Sequence, residues 1–209
     1  SDVTAVNEWI VREYFEANGY LVIQPRKYVV PGRQKKAEEE IDIIVHNPKV
    51  TDSVIPDHLV WTSRDLKNVA GAVVGVRGWH TERFYVSTFE QSPDILKFSE
   101  AASMGFASKI LGTDSIAKIL CLPKLPASGE LKKNTIKVLK DKGIDGVISF
   151  RTMLAELIDK TDVNKNYEKS DLLQIIRLLK NYDFIRDDQL DLFTRKSRRK
   201  PKTSSGSGQ

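Results

Sequence analysis

One cysteine, Cys121, stands in 209 residues, so no internal disulfide can form. Its place inside the apolar run AKILCL marks a buried structural thiol in a reducing compartment rather than a nucleophile. No apolar run approaches the roughly 18 residues that span a bilayer, so no membrane role is expected. The opening SDVTAVNEWIVREYF lacks a basic stretch leading into an apolar one, so the expectation is a cytoplasmic or nucleoid-associated protein and not a secreted one. The histidines His46, His58 and His80 are far apart and have no cysteine at zinc-ligand spacing, which argues against a structural zinc. Glycine-rich phosphate loops, serine elbows, kinase motifs and internal repeats are all missing.

What is present is a globular composition, 40% hydrophobic and 29% charged, enough for one domain of ordinary size with an appendage. The net charge of +5 is concentrated at one end. Residues 195–202, RKSRRKPK, hold six cations and no acid, and without them the chain has 27 basic against 28 acidic residues. Arg195, Lys196, Arg198, Arg199 and Lys200 could therefore contact phosphates through counterion release, or merely solubilise the end of the chain. With the linker-like TSSGSGQ that follows, residues 194–209 are expected to be a disordered basic tail.

Apolar spacing predicts a helix over 3–17, stopped at Gly19. Extended segments follow at 20–24 and 27–30, then a strand EIDIIV at 40–45 and a short helix at 63–69 with Ser63 as its N-cap. GAVVGVRGW at 71–79 is the strongest strand signal, a continuous apolar run of the kind found at the centre of a sheet. Helix in one or two pieces from Ser92–Pro93 to Leu111, a buried strand at 117–123, a basic helix at 130–142, a strand at 146–150 and helices at 151–160 and 170–182 complete the chain. The order describes an α/β protein with a mixed sheet flanked by helices. Residues 1–123 read as the core and 124–193 as a helical C-terminal extension carrying one short strand.

A metal-dependent nuclease needs two or three carboxylates converging on Mg²⁺, commonly with a lysine beside them. An acid on one strand and an acid-x-lysine on the next supply this, because residues two apart share a face. The N-terminal helix with its glutamates, the strand EEEIDIIV and the apolar strand GAVVGVRGWHTERF resemble in order and spacing the PD-(D/E)XK nuclease superfamily over roughly residues 3–122. The resemblance implies a restriction-endonuclease-like core, with Asp42 at the metal-binding aspartate and residues 75–77 at the acid-x-lysine signature. Those residues are Gly75, Val76 and Arg77, so one ligand is missing and a permanent cation replaces the lysine. Arg77 is expected to pair with Asp42, standing electrostatically where a metal would.

Three carboxylates are candidates to restore a site: Glu82 five residues past Arg77, Asp65 in the string Asp65-Leu66-Lys67, and Glu8 on the first helix. Glu40 shares a face with Asp42 if the segment is a strand, and His80 follows Trp79 at the mouth of such a site. Arg77, Trp79, Arg83 and Tyr85 form a basic and aromatic cluster suited to bases or phosphates. The leading expectation is a nuclease-like protein without cleavage and without a cofactor, binding nucleic acid, DNA first, or serving as a scaffold in a protein complex or oligomer. The alternatives are an active Mg²⁺-dependent endonuclease using Asp42 with relocated ligands, and a protein-interaction module.

Overall fold

The structure, a computed structural model, describes residues 5–25, 32 and 36–185. The chain forms two compact units, one running to Leu157 and the other beginning at Ile158. The segment read as extended at 27–30 and the basic tail lie outside the described residues.

In the first unit, α1 (Ala5–Ala17) leads to β1 (Leu21–Ile23), then a single turn of helix, α2 (Ala37–Glu40), and β2 (Ile43–His46). A further turn, α3 (Ser63–Leu66), precedes β3 (Gly71–Val76). The crossover to β4 (Ala117–Leu122) is made by α4 (Val86–Gln91), a 3-10 segment (Pro93–Ser99) and α5 (Ala101–Leu111). Helix α6 (Gly129–Asp141) leads to β5 (Gly146–Ser149), and α7 (Phe150–Lys160) follows it. The five strands lie in chain order, antiparallel from β1 to β3 and parallel from β3 to β5. The protein is therefore α/β with a mixed sheet flanked by helices.

β3 is the middle strand, and all six of its residues are buried. A strand covered on both faces needs no polar alternation, which is why its sequence, GAVVGV, has no polar side chain. Alternation sends Ile44, Val73, Leu120, Leu122 and Val147 into one core with Phe84, Phe89 and Phe98 from the crossover and Leu139 from α6. The opposite face carries Ile43, Val74, Ile119 and Cys121, all fully buried. Helix α1 packs on this unit's sheet, and its buried Tyr14 donates its hydroxyl to Glu156 at 2.6 Å. Glu156 also accepts from the Ser63 hydroxyl at 3.0 Å, so one carboxylate ties α1, α3 and α7 together.

Two details place the site. The segment read as strand at 40–45 begins as helix: Glu38–Glu40 belong to α2, and the Glu39 carboxylate accepts from the Lys36 amide at 2.7 Å to close that turn. Glutamates favour helix over strand; Ile41 after them is extended, Asp42 sits at a bend, and the strand begins only at Ile43. The cap of α3 is Thr62 rather than Ser63: its hydroxyl accepts from the Arg64 amide while Asp65 accepts from the Thr62 amide at 2.8 Å.

The second unit contains α8 (Asp171–Asn181), capped by the Ser170 hydroxyl accepting from the Leu173 amide. Ile176 is buried, whereas Ile175, Leu178, Leu179 and Tyr182 are exposed at three- and four-residue spacing. Asp183 takes the left-handed conformation with φ 60°, and Phe184 donates its amide to the Leu179 carbonyl, ending the helix in a Schellman turn.

Candidate functional site

Asp42 lies one residue before β2, opposite Gly75 if the β2–β3 register is continued by one step. Its Oδ2 accepts from the Val76 amide and from Arg77 Nη1, both at 2.7 Å. Arg77 continues the pairing of β3 beyond its end, with its amide donating to the Cys121 carbonyl at 2.9 Å. Its Nη1 also reaches the Val76 carbonyl and its Nη2 the Ile95 carbonyl, both at 2.7 Å. The pair is largely shielded, with the arginine side chain 12% exposed and the aspartate 17%. The expected Asp42–Arg77 salt bridge is thus present, and both partners are held by further hydrogen bonds.

Gly75 explains the rest of the corner. A Cβ there would lie 2.5 Å from Cδ1 and Cε1 of Phe98, so the ring of the 3-10 segment occupies the space a side chain would need. The Arg77 guanidinium carbon sits 5.8 Å from the centroid of the same ring, within cation–π range. Phe98 therefore packs under Gly75 and beside Arg77 at once.

These residues do not fit Mg²⁺. Asp42 already spends one oxygen on an arginine and an amide, Gly75 offers no ligand, and Arg77 is cationic at any working pH. Among the described residues no three histidine, cysteine, aspartate or glutamate side chains are grouped to hold a metal.

The other candidates scatter. Glu82 is exposed in the turn after Trp79 and does not line the cleft beside Arg77. Asp65 serves the α3 cap and pairs with His58 at 2.8 Å. Glu8 accepts from Gln24 at 3.0 Å, and burial, followed by repulsion from Asp42, raises its pKa above the ordinary carboxylate range. It is thus near enough to Asp42 to feel its charge. His80 is pinned by its Nε2, 2.7 Å from Asn7 Oδ1, and meets the edge of Phe150 at 4.8 Å between centroids. Asn7 is buried, and a Cβ on Gly78 would collide with its amide at 1.6 Å, so Gly78 is what lets α1 approach the strand end.

Beside the corner opens a cleft of about 840 Å³ whose lining includes Trp79, Gln91, Pro93 and Ser103. Its charged lining is Glu39, Glu40, Asp42, Asp94 and Glu100 against Arg77 and Lys97, and Lys97 is paired with Asp94 at 2.8 Å. Among the described residues this is an acidic cleft, which repels phosphate. The basic and aromatic cluster read from the sequence is divided by the fold. Arg77 and Trp79 face this cleft, and Trp79 stacks on Phe84 at 5.4 Å with the planes 15° apart. Arg83 is exposed, with Nη1 3.4 Å from the Leu125 carbonyl, and Tyr85 lines a second groove against α6. Arg195, Lys196, Arg198, Arg199 and Lys200 lie outside the described residues.

Sequence reasoning missed Phe98 and Asn7, whose positions come from contacts distant in the chain. The signal that could have found them was the glycine at 75 in a run of valines and the glycine at 78, since glycine in a strand marks close approach of another group. Compared with protein-family models, curated proteins and solved structures, the chain has no match.

Proposed function

We propose that the chain is a nuclease-like protein that has lost metal-dependent cleavage and works as a nucleic-acid-binding subunit. The order of elements supports the nuclease-like part: a helix, three antiparallel strands, a helical crossover and a parallel fourth strand. That order, with Asp42 and residues 75–77 meeting at the ends of neighbouring strands, is what a restriction-endonuclease-like core would bring together. The observation that carries the loss of cleavage is the Asp42–Arg77 pair beside a Gly75 covered by Phe98. A guanidinium holds the one carboxylate, and a phenyl ring fills the position where a second would stand. Without a metal to polarise phosphate and generate hydroxide, what remains for the fold is to recognise and hold.

The test is calorimetric titration of the full chain with Mg²⁺ and Mn²⁺, in parallel with Asp42→Ala, and incubation with labelled single- and double-stranded DNA. The expected result is no metal heat that depends on Asp42, no cleavage, and retained DNA binding. Metal binding abolished by Asp42→Ala, together with cleavage, would sink the proposal.

A second reading, a protein-interaction module, is favoured by α8. Its exposed Ile175, Leu178, Leu179 and Tyr182 form the kind of apolar stripe that seats a partner helix. Failure of the full chain to bind any nucleic acid would move the weight there.

A further inference from the structure

The acidic cleft and the sealed corner leave open where a polyanion would sit. Resting on the nucleic-acid reading above, we propose that single-stranded nucleic acid runs along the groove between α4 and α6, away from the degenerate nuclease corner.

The groove has a volume of about 640 Å³ and is lined by Tyr85 and Ser87 on one side and by Leu131, Asn134 and Lys137 on the other. Helix α6 is amphipathic: Thr135 and Leu139 are buried in the core while Lys133 and Lys137, one turn apart, are exposed. Over 129–142 five lysines face two acids, Glu130 and Asp141. No ion pair is formed by Lys124, Lys132, Lys133 or Lys137 among the described residues, in contrast to Arg77 and Lys97 across the crossover. The turn that carries Arg83 and Tyr85 is held against the loop before α6, with the Phe84 amide donating to the Lys124 carbonyl at 3.0 Å and Arg83 reaching the Leu125 carbonyl. Both cations of that pairing, Arg83 and Lys124, are exposed.

The chemistry favours a single strand. Tyr85, 37% exposed at the groove wall, offers a ring for a base to stack on, and stacking is indifferent to sequence. Lys137 of the lining and Lys133, exposed one turn before it on the same helix, supply point charges for consecutive phosphates, and Asn134 and Ser87 of the lining supply hydrogen bonds. Thirteen helical residues extend about 20 Å, the reach of a few nucleotides rather than of a duplex footprint. Asp141 lines the far end and repels phosphate there, so the strand runs over the Lys133–Lys137 portion and past Tyr85.

The experiment is fluorescence anisotropy of a labelled twelve-nucleotide single strand and its duplex, titrated with the full chain at several salt concentrations. Lys133→Glu/Lys137→Glu is expected to weaken single-strand binding at least tenfold. It should also make the slope of log affinity against log salt shallower by about 1.4, two phosphates at roughly 0.7 each. Tyr85→Ala should weaken it about tenfold with the slope unchanged, a split that a general loss of positive charge would not produce. Lys133→Gln/Lys137→Gln, a milder change to the same surface, should give an intermediate loss. Unchanged melting by circular dichroism shows that the variants fold. Neutralising the six tail cations to glutamine separates their contribution, and the groove variants must still lose affinity in that background. Binding that survives Lys133→Glu/Lys137→Glu overturns the groove while leaving the binding function standing. Absence of binding by the unaltered chain overturns both, and duplex preferred over single strand overturns the assignment of the strand.

Discussion

The corner at the end of β3 and the groove between α4 and α6 both border the crossover from β3 to β4, and they treat their charges in opposite ways. At the corner every strong donor of Arg77 described above has a protein acceptor, and the ring of Phe98 closes the space beside it. Along α6, Lys133 and Lys137 are exposed and engage no acid among the described residues, whereas Lys140 donates to the Asp57 carbonyl. A group whose hydrogen bonds are satisfied inside the protein contributes to the fold and has little left for a ligand. One that is exposed and unpaired contributes little to stability and remains available. The difference separates a corner whose charges hold the sheet end together from a surface whose charges are left open to solvent.

The largest effect that would sharpen this contrast is Arg77→Ala. It leaves Asp42 shielded without its cation and removes a donor from the Ile95 carbonyl, and losing one partner of a shielded pair costs about 3 kcal/mol. Urea denaturation should show that loss, whereas Lys137→Ala should stay within about 0.5 kcal/mol of the parent. Equal effects at the two sites would break the distinction. Gly75→Ala comes next. Its methyl meets the Phe98 ring at 2.5 Å, and overpacking of this kind costs about 1–3 kcal/mol. Gly75→Ala combined with Phe98→Leu should recover part of that loss. Absence of any coupling between the two in a double-mutant cycle would show that the ring is not what keeps residue 75 a glycine.

Much of this corner is legible in the sequence, and for a local reason. A short, valine-rich apolar run bounded by glycine reads as a buried strand, and an acid at the start of one strand beside a cation at the end of the next are set face to face by register, so Asp42 and Arg77 could be paired on paper. What packs against the glycines around them could not. Phe98 arrives from a 3-10 segment twenty-one residues further on, and Asn7 from the first helix, through contacts that no local spacing encodes. Helix α4 was also not foreseen. Its six residues, VSTFEQ, contain β-branched residues that favour strand, and only the burial of Phe89 in the core fixes them as a helical turn. An acidic run has no period of its own, so nothing local separates Glu40 from the strand that follows it, and the hydrogen bond of Glu39 to the Lys36 amide decides for helix.

The smallest expected effect, Glu8→Gln, tests whether the corner keeps a carboxylate charge at a cost. Burial, then Asp42, raises the pKa of Glu8, so the folded protein holds its proton more tightly than the unfolded chain does. Between the ordinary value of 4.5 and the raised folded value the native state binds more protons, and stability falls as pH rises through that window. Above it the ionised Glu8 is a standing liability, relieved only in part by its bond from Gln24. Glutamine keeps an acceptor for Gln24 and removes the charge, so Glu8→Gln should raise the melting temperature at pH 7 and lose that advantage below pH 4.5. If Glu8→Gln instead lowers stability at pH 7, the carboxylate has a stabilising partner at the corner, and the contrast between a sealed end and an open groove would have to be redrawn.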